Sequence, residues 1–245
     1  MDNLTIIIMA GGEGKRMNSS IPKILHLFLN EPMLIRIIKS SLKLGPNKIL
    51  VITGKYDELI KSTVNGYLND TELSKITFIN QPSPLGTGHA IKCTLNTLDD
   101  NSNVLILNGD MPAISSDLLN DFINNSTLQL NKIMVTEIDN PTGYGRIVCL
   151  PDSNNLQAII EHKDCTEEQK LIKQINVGIY MFSSRILKEC IPQIRNDNAQ
   201  NEYYLTDIVK YVNEIQTYLV PEQFRYQIYG VNTQDELKYL EELIK

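Results

Sequence analysis

The feature that most constrains the fold of this chain is a regular alternation of apolar runs and helical patterns, which extends to residue 108. The runs are short, rich in β-branched residues and apolar throughout, as strands covered on both faces are. They are TIIIM (5–9), ILVIT (49–53), ITFIN (76–80) and VLILN (104–108). The segments between them have helical spacing, and the first of these opens at Pro32 and closes at Gly45-Pro46. This β-α-β-α order predicts an α/β fold with a parallel sheet and helices on both faces.

After residue 130 the apolar runs follow one another more quickly. They are KIMVTEI (132–138), GRIVCL (145–150), LQAIIEH (156–162) and INVGIYMF (175–182). This succession predicts a mixed or antiparallel extension, so the central sheet is expected to be mixed but mostly parallel. Helical patterns return at 185–194, in EYYLTDIVKYVNEI (202–215) and in TQDELKYLEELI (233–244). The sequence has no linker, internal repeat or low-complexity stretch, which predicts one domain over residues 1–245.

Composition and charge exclude several classes of protein. With 42% hydrophobic and 21% charged residues, the chain resembles an ordinary globular protein. Its formal charge of -6 argues against a nucleic-acid partner, which favours a basic face. The four cysteines form no C-x-x-C pair, a pattern typical of reduced thiols rather than of disulfides or a zinc site. No apolar run has the length of a signal peptide or a membrane span, so we expect a cytoplasmic protein without a membrane partner.

The loop after the first apolar run, GGEGKRM (11–17), predicts an anion site. Its glycines let the backbone approach a ligand closely, and Lys15 and Arg16 supply positive charge. The loop matches neither the P-loop nor the dinucleotide-binding fingerprint. In open α/β sheets, ligands bind beyond the carboxyl ends of the strands, where loops 10–23, 81–88 and 108–112 are expected to lie. We therefore predict a phosphate site of another kind at this edge.

Eight further motifs accompany this loop in a fixed order. They are PKILH (22–26), QPSPLGTGHA (81–90), LNGDMP (107–112), PTGYGRI (141–147), IIEHKD (159–164), INVGIY (175–180), NEYYLTD (201–207) and GVNTQDEL (230–237). From about residue 5 to about residue 240, the chain resembles the uridyltransferase domain of the bifunctional N-acetylglucosamine-1-phosphate uridyltransferases, within the sugar-nucleotide pyrophosphorylases. The resemblance implies a Rossmann-like nucleotidyltransferase fold, with a nucleotide-binding half at about 1–112 and a sugar-binding half at about 113–245.

The reaction that this resemblance implies joins UTP to N-acetylglucosamine 1-phosphate and releases pyrophosphate, with Mg²⁺ as cofactor. The nucleophile is a phosphate oxygen, and a phosphomonoester is already largely dianionic at neutral pH. Such a reaction needs positioning and charge stabilisation rather than a general base. The sequence accordingly contains no recognisable Ser-His-Asp or Cys-His arrangement.

The resemblance also assigns roles to individual residues. Arg16 would hold the triphosphate where pyrophosphate departs, and Lys23 would neutralise the reacting phosphates. Asp110 and Asn232 match the magnesium ligands, and two protein oxygens completed by phosphate and water are typical of magnesium. The implied nucleotide-binding residues are Ala10, Gly11, Gly12, Gly14, Lys15, Gln81, Gly86 and Thr87. The implied sugar-binding residues are Asn108, Gly145, Glu161 and Asn176.

The motifs depart from the family pattern at three positions, of which Asn108 and Val177 leave the identity of the sugar open. Lys15 replaces a threonine, Asn108 stands where tyrosine is usual, and Val177 stands where threonine is usual. Two alternatives therefore remain open: the same reaction with another sugar 1-phosphate or pyrimidine nucleotide, and a non-catalytic sugar-nucleotide-binding regulator. A regulator would be expected to lose Arg16, Lys23 or Asp110. The sequence shows no hexapeptide repeat of the kind that forms the acetyltransferase part of the bifunctional enzymes, so we expect no acetyl transfer.

Overall fold

The computed structural model describes residues 3–124, 131–150 and 156–244, apart from the Lys15 side chain. The strands in chain order are β1 (Leu4–Met9), β2 (Leu27–Phe28), β3 (Glu31–Pro32), β4 (Lys48–Thr53), β5 (Ile76–Asn80), β6 (Asn103–Asn108), β7 (Lys132–Glu137), β8 (Arg146–Cys149), β9 (Leu156–Ile160), β10 (Gln174–Ser183) and β11 (Gln216–Leu219). The α-helices are α1 (Met33–Leu42), α2 (Asp57–Tyr67), α3 (Asp70–Leu73), α4 (Thr87–Lys92), α5 (Ser116–Asn124), α6 (Glu167–Lys170), α7 (Ser184–Cys190) and α8 (Gln234–Ile244).

The four apolar runs before residue 109 are all strands, as predicted. β1, β4 and β6 each begin one residue before the predicted start, and β5 has the predicted bounds. Ile6, Ile7 and Ile8 in β1 have no exposed surface. Because both faces of this central strand are covered, its side chains on both faces are apolar there. The predicted class, an α/β fold with a mixed and mostly parallel sheet, is confirmed.

The chain forms two compact units, and the first consists of Met1–Pro84, Ile106–Asn124 and Pro221–Lys245. Its strand order is β6-β1-β4-β5, with β1 parallel to β4 and β4 parallel to β5. The carboxyl ends of these parallel strands therefore lie at one edge of the sheet. The first residue after β1 and the first residue after β5 still make backbone hydrogen bonds to β4. There Ala10 N donates to Ile52 O at 2.9 Å, and Gln81 N donates to Thr53 O at 2.9 Å.

The second unit consists of Leu85–Leu105 and Asn125–Val220. Its strand order is β11-β7-β10-β6; β10 is antiparallel to β7 and β8, β8 is antiparallel to β9, and β11 is parallel to β7. The predicted mixed extension is thus present after residue 130. The division into a nucleotide-binding half and a sugar-binding half concerns what each part binds, and it stays a prediction.

One helical prediction is wrong. Residues 202–215 contain a 3-10 helix at Leu205–Lys210 rather than a long α-helix. The backbone of Tyr203 is engaged elsewhere: its N–H donates to Leu85 O at 2.8 Å, and its carbonyl accepts from Gly88 N at 2.7 Å. Leu205 N donates to Thr87 Oγ1 at 2.9 Å, so this segment pairs with a distant loop instead of with itself. Tyr204 in the same segment is buried.

Other differences follow from local backbone chemistry. The helix predicted at 185–194 begins at Ser184, where Ser183 caps it by accepting from Ile186 N. It ends at Cys190, and Pro192 lies in the 3-10 turn Ile191–Gln193 that follows. Helix α5 and strand β11 were not predicted.

None of the four cysteines forms a disulfide, in keeping with the reduced thiols that the sequence predicts. Among the described residues, no helix combines the length and apolarity that crossing a membrane requires.

Candidate active site

Three side chains predicted to carry the chemistry meet in the first unit. The Lys23 ammonium nitrogen lies 2.5 Å from Asp110 Oδ2 and 2.8 Å from Asn232 Oδ1. The Lys23 and Asp110 side chains are only 13% and 23% exposed, so water screens their attraction less than it would at an open surface. One cation thus holds a carboxylate oxygen and an amide oxygen together.

Asp110 is positioned by the strand end that precedes it. Gly109 N donates to Met9 O at 2.9 Å, which ties the end of β6 to the end of β1. A Cβ on Gly109 would lie 2.8 Å from that same carbonyl oxygen, so only glycine permits the approach. Val231 N donates to Asp110 O at 2.9 Å, which brings the Asn232 segment alongside.

Asn232 is positioned by the start of α8. Glu236 Oε2 accepts from Asn232 N at 2.6 Å and from Thr233 N at 3.2 Å, while Thr233 Oγ1 accepts from Glu236 N at 3.1 Å. These reciprocal bonds are a capping box, which satisfies N–H groups at the helix start. The Asn232 amide therefore projects from a rigid turn. The pattern T-x-x-E at 233–236 is the sequence signal of this support.

The glycine loop packs directly against Lys23. Gly14 has a φ of +62°, and a Cβ there would lie 2.4 Å from Lys23 Cβ. Gly11 lies beside Gln81, because a Cβ on Gly11 would be 3.5 Å from Gln81 Oε1 and 3.0 Å from Thr53 O. Gly12 is exposed, with nothing near the position of a Cβ. The loop thus connects Lys23 with the residues at the carboxyl edge of the sheet.

Arg16 lies on the 3-10 turn Lys15–Met17, which Met17 N closes by donating to Gly14 O at 2.9 Å. Its side chain is exposed and makes no hydrogen bond or ion pair with any other described residue. Gln234 Nε2 donates to Met17 O at 3.2 Å, so the start of α8 supports this turn as well as Asn232. The role of Gln234 was not predicted from the sequence.

An open pocket of about 730 Å³ lies beyond the ends of β4 and β5 in the same unit. Its lining residues are Gly54, Lys55, Tyr56, Asp57, Glu58, Leu59, Asn80, Gln81 and Pro82. Gln81 belongs to this lining, whereas Lys55 and Tyr56 were not among the predicted residues. The Lys55 ammonium lies 5.6 Å from the centre of the Tyr56 ring, a cation–π distance.

Gly86 and Thr87 lie in the second unit, at the start of α4. Gly86 has a φ of +107°, and a Cβ on it would lie 2.6 Å from Tyr203 O. Thr87 Oγ1 accepts from Leu205 N. The turn at Gly86 and Thr87 is thus packed against residues 203–205. The centres of the His89 and Tyr203 rings lie 6.4 Å apart beside this turn.

Three of the four predicted sugar-binding residues meet in the second unit. A Cβ on Gly145 would lie 3.5 Å from Glu161 Oε1 and 3.7 Å from Asn176 Cβ. Glu161 Oε1 accepts from Thr206 Oγ1 at 3.0 Å. Asn176 donates to Tyr180 Oη at 2.6 Å and accepts from Gly178 N at 3.1 Å, bonds that fix its amide orientation. Asn108, the fourth, ends β6 in the first unit.

Burial raises the pKa of the Glu161 carboxyl, and the bond from Thr206 opposes the shift. The neighbouring carboxylates of Asp164, Asp207 and Glu202 raise that pKa further. A desolvated carboxylate of this kind is a strong hydrogen-bond acceptor when it meets donors such as sugar hydroxyl or amide groups. The sequence indicated Glu161 but not its partner Thr206.

Arg146, also in the second unit, is buried and holds the neighbouring segment. Its guanidinium donates to Tyr144 O and lies 3.1 Å from His162 Nδ1. These bonds brace the chain on either side of Gly145 and Glu161. The contact of His162 with Arg146 therefore has a structural role.

Comparisons with known proteins place the chain in a family. The sequence profile of the family described as nucleotidyl transferase matches residues 5–224. A protein of Acanthamoeba polyphaga mimivirus named "Probable UDP-N-acetylglucosamine pyrophosphorylase" is 45% identical over 250 residues, which cover 99% of this chain and 96% of that protein. The bifunctional protein GlmU of Nitrosomonas eutropha is 37% identical over 243 residues, covering 98% of this chain and 52% of its own length. The chain thus spans about half the length of that bifunctional relative.

A solved structure of UDP-glucose pyrophosphorylase complexed with UDP-glucose has a TM-score of 0.73 to this chain. The two share 14% of their residues, and the match covers 98% of this chain and 97% of the other. At this identity the likeness concerns the fold, and it agrees with the Rossmann-like architecture that the motifs predict.

Proposed function

Because this chain belongs to the nucleotidyl transferase family, we propose that it transfers the uridylyl group of UTP to N-acetylglucosamine 1-phosphate, giving UDP-N-acetylglucosamine and pyrophosphate. The observation that carries this substrate pair is the 45% identity, over nearly the full length of both chains, to the mimivirus protein named for that product. The chain retains Arg16, Lys23 and Asp110, which a non-catalytic regulator would be expected to lose.

The chemistry requires two polyanions to meet in line. The attacking phosphate oxygen already carries its charge at neutral pH, so no side chain has to remove a proton. In this proposal, Lys23 neutralises the reacting phosphates, and Arg16 stabilises the charge that develops on the departing pyrophosphate. The backbone groups of Ala10, Gly11, Gly12 and Gly14, with the Lys15 charge, would hold the nucleotide.

Asp110 and Asn232 would hold Mg²⁺, and the donor set fits this ion. A carboxylate oxygen and an amide oxygen converge on the single ammonium of Lys23, and hard oxygen donors are the ligands that magnesium prefers. When bound, the ion would neutralise phosphate charge and orient the phosphate oxygens. The Glu236 capping box would keep the Asn232 oxygen directed toward it.

Gln81, Gly86 and Thr87 would recognise the uracil, since a side-chain amide has both a donor and an acceptor for a pyrimidine edge. Gly145, Glu161 and Asn176 would contact the sugar. Gly145 lies beside the Glu161 carboxylate and the Asn176 side chain, so one sugar could contact all three residues. Asn108 would add a further contact. A cytoplasmic location and the absence of nucleic-acid and membrane partners remain predictions from the sequence.

A pyrophosphate-release assay tests this function. Nucleoside triphosphates and sugar 1-phosphates are combined in a matrix with Mg²⁺, and the highest kcat/KM is expected for UTP with N-acetylglucosamine 1-phosphate. A higher value with glucose 1-phosphate or with another pyrimidine triphosphate would replace the proposed substrate. Saturable binding of the sugar nucleotide without turnover in any combination would favour a regulator instead.

A further inference from the structure

The Lys23 ammonium lies on the two oxygens that are proposed to bind the metal. We propose that Lys23 and a divalent cation occupy the Asp110–Asn232 oxygen pair in turn, so that metal binding releases Lys23 toward the phosphates. The proposal rests on the metal-ligand assignment made above. It makes Lys23 a competitor of the metal in the protein without nucleotide, in addition to its proposed role in phosphate transfer.

The contacts of Lys23 carry the first step. Its nitrogen lies 2.5 Å from Asp110 Oδ2 and 2.8 Å from Asn232 Oδ1, so it uses the oxygens that a hard cation would use. Among the described side chains, Lys23 is the group that pairs with the Asp110 carboxylate. An ion that coordinates both Asp110 Oδ2 and Asn232 Oδ1 therefore competes with this ammonium.

Charge carries the second step. The cluster formed by Lys23, Asp110 and Asn232 contains one positive and one negative group, so its formal charge is balanced. A divalent ion added beside the ammonium would place two like-charged centres on one partly buried carboxylate, and their repulsion at such short distances is strong. Metal binding and departure of the ammonium are therefore coupled.

The local backbone allows the ammonium to move while its Cα remains in place. Lys23 begins the 3-10 turn Lys23–Leu25, in which His26 N donates to Lys23 O at 3.2 Å. Gly14 packs on the Lys23 Cβ, but the terminal methylenes and the ammonium have rotatable bonds. The exchange therefore needs a side-chain rotation rather than a loop rearrangement.

The exchange would couple the two charges that the reaction needs. Without metal, Lys23 would keep Asp110 and Asn232 together and would be held away from the phosphates. With metal bound, the ammonium would become available to the reacting groups. The Lys23 charge would then reach the phosphates only after the ligand pair had been filled.

Binding of Mn²⁺ to the full chain without nucleotide, followed by electron paramagnetic resonance at fixed pH and ionic strength, tests the competition. Lys23→Met removes the ammonium but keeps an unbranched side chain, and we expect roughly 10-fold tighter Mn²⁺ binding, since a charge-assisted bond is lost. Lys39→Met is the matched control: Lys39 pairs with Glu31 at 2.5 Å in the same unit, and its loss removes the same charge elsewhere. The control is expected to bind Mn²⁺ as the unmodified protein does.

Unchanged or weaker Mn²⁺ binding by folded Lys23→Met would overturn the proposal, as would Mn²⁺ binding by neither protein. Asp110→Asn is expected to lose binding, and if it binds as the unmodified protein does, the metal-ligand assignment is wrong. These measurements contain no nucleotide or sugar phosphate, so an error in the proposed substrates leaves their outcome unchanged.

Amine labelling provides a second readout that does not need a variant. The rate at which acetic anhydride modifies Lys23, followed by peptide mass spectrometry, is expected to rise when Mg²⁺ is added, because the ammonium leaves its partly buried pair. The rate at Lys39 is expected to stay constant. An unchanged rate at Lys23 under saturating Mg²⁺ would contradict release of its side chain.

Discussion

Gly14 and Lys23 are packed so closely that a Cβ on Gly14 would lie 2.4 Å from the Cβ of Lys23. This contact joins the glycine loop to the base of the side chain that reaches Asp110 and Asn232. Gly14 also has a φ of +62°, a conformation that other residues adopt at an energetic cost. Two independent constraints therefore demand glycine at this position.

Gly14→Ala is expected to reduce kcat/KM by about 100-fold, because a displacement of about 1 Å at a positioning contact has effects of this size. The measurement is steady-state pyrophosphate release with UTP and N-acetylglucosamine 1-phosphate. Gly66→Ala is the control: Gly66 lies in α2 with nothing near a Cβ, so its activity should be unchanged. Equal activities of the two variants would show that the Gly14 contact has no role in positioning Lys23.

Arg16→Ala and Lys23→Ala are each expected to lower the rate by about 10²–10³, roughly 3–4 kcal/mol of transition-state stabilisation, with the fold retained. Both substitutions remove positive charge that is proposed to meet phosphate oxygens. The rate is measured by pyrophosphate release, and the fold is checked by far-ultraviolet circular dichroism. Lys188→Ala, which breaks a surface pair with Asp100 in the second unit, serves as the control. Near-normal turnover in a folded Arg16 or Lys23 variant would remove that residue from the mechanism.

Glu236→Ala is expected to lower the free energy of unfolding by about 0.5–2 kcal/mol, the range for loss of a helix cap. Because Glu236 accepts from Asn232 N, the variant should also need a higher Mg²⁺ concentration for half-maximal activity. Glu236→Gln should partly restore both properties, since glutamine also serves in a capping box. Urea denaturation and a Mg²⁺ titration measure the two effects. A stability loss without any change in the Mg²⁺ requirement would restrict Glu236 to capping.

Glu161→Gln is expected to stabilise the protein at neutral pH. Burial raises the pKa of the Glu161 carboxyl in the folded state. At pH values above the ordinary carboxyl pKa, the folded state therefore binds the carboxyl proton more tightly than the unfolded state does. Stability therefore falls as pH rises from the ordinary pKa through the raised folded pKa, and the penalty persists above it. Glutamine retains an oxygen that can accept from Thr206 but has no charge to desolvate.

The free energy of unfolding of Glu161→Gln, measured by urea denaturation, should exceed that of the unmodified protein at neutral pH. The difference should disappear below the ordinary carboxyl pKa. In the assay, KM for the sugar 1-phosphate should rise because a charged acceptor is lost. Glu168→Gln, at an exposed position in α6, should change neither property. A pH-independent stability difference at Glu161 would contradict the linkage.

Local sequence patterns were sufficient to predict four strands of the central sheet. The β-branched runs of β1, β4, β5 and β6 predicted strands to within one residue, because each run is short, mostly apolar and rich in residues that favour strands. The collinear motifs indicated the family and the reaction. They also identified Lys23, Asp110 and Asn232 as a set, although not the bonds between them.

Long-range contacts decided the rest. Residues 202–215 have a helical pattern, yet the Tyr203 backbone pairs with Leu85 and Gly88, and this pairing overrides the local preference. Lys23 lies 87 residues from Asp110 and 209 residues from Asn232, and only the folded chain places one ammonium on both oxygens. By itself, the sequence determined that the four apolar runs before residue 109 become strands and which residue types are available for phosphate chemistry, since those depend on neighbours along the chain. The tertiary structure alone decided which charges touch, because that depends on groups that folding brings together from distant positions.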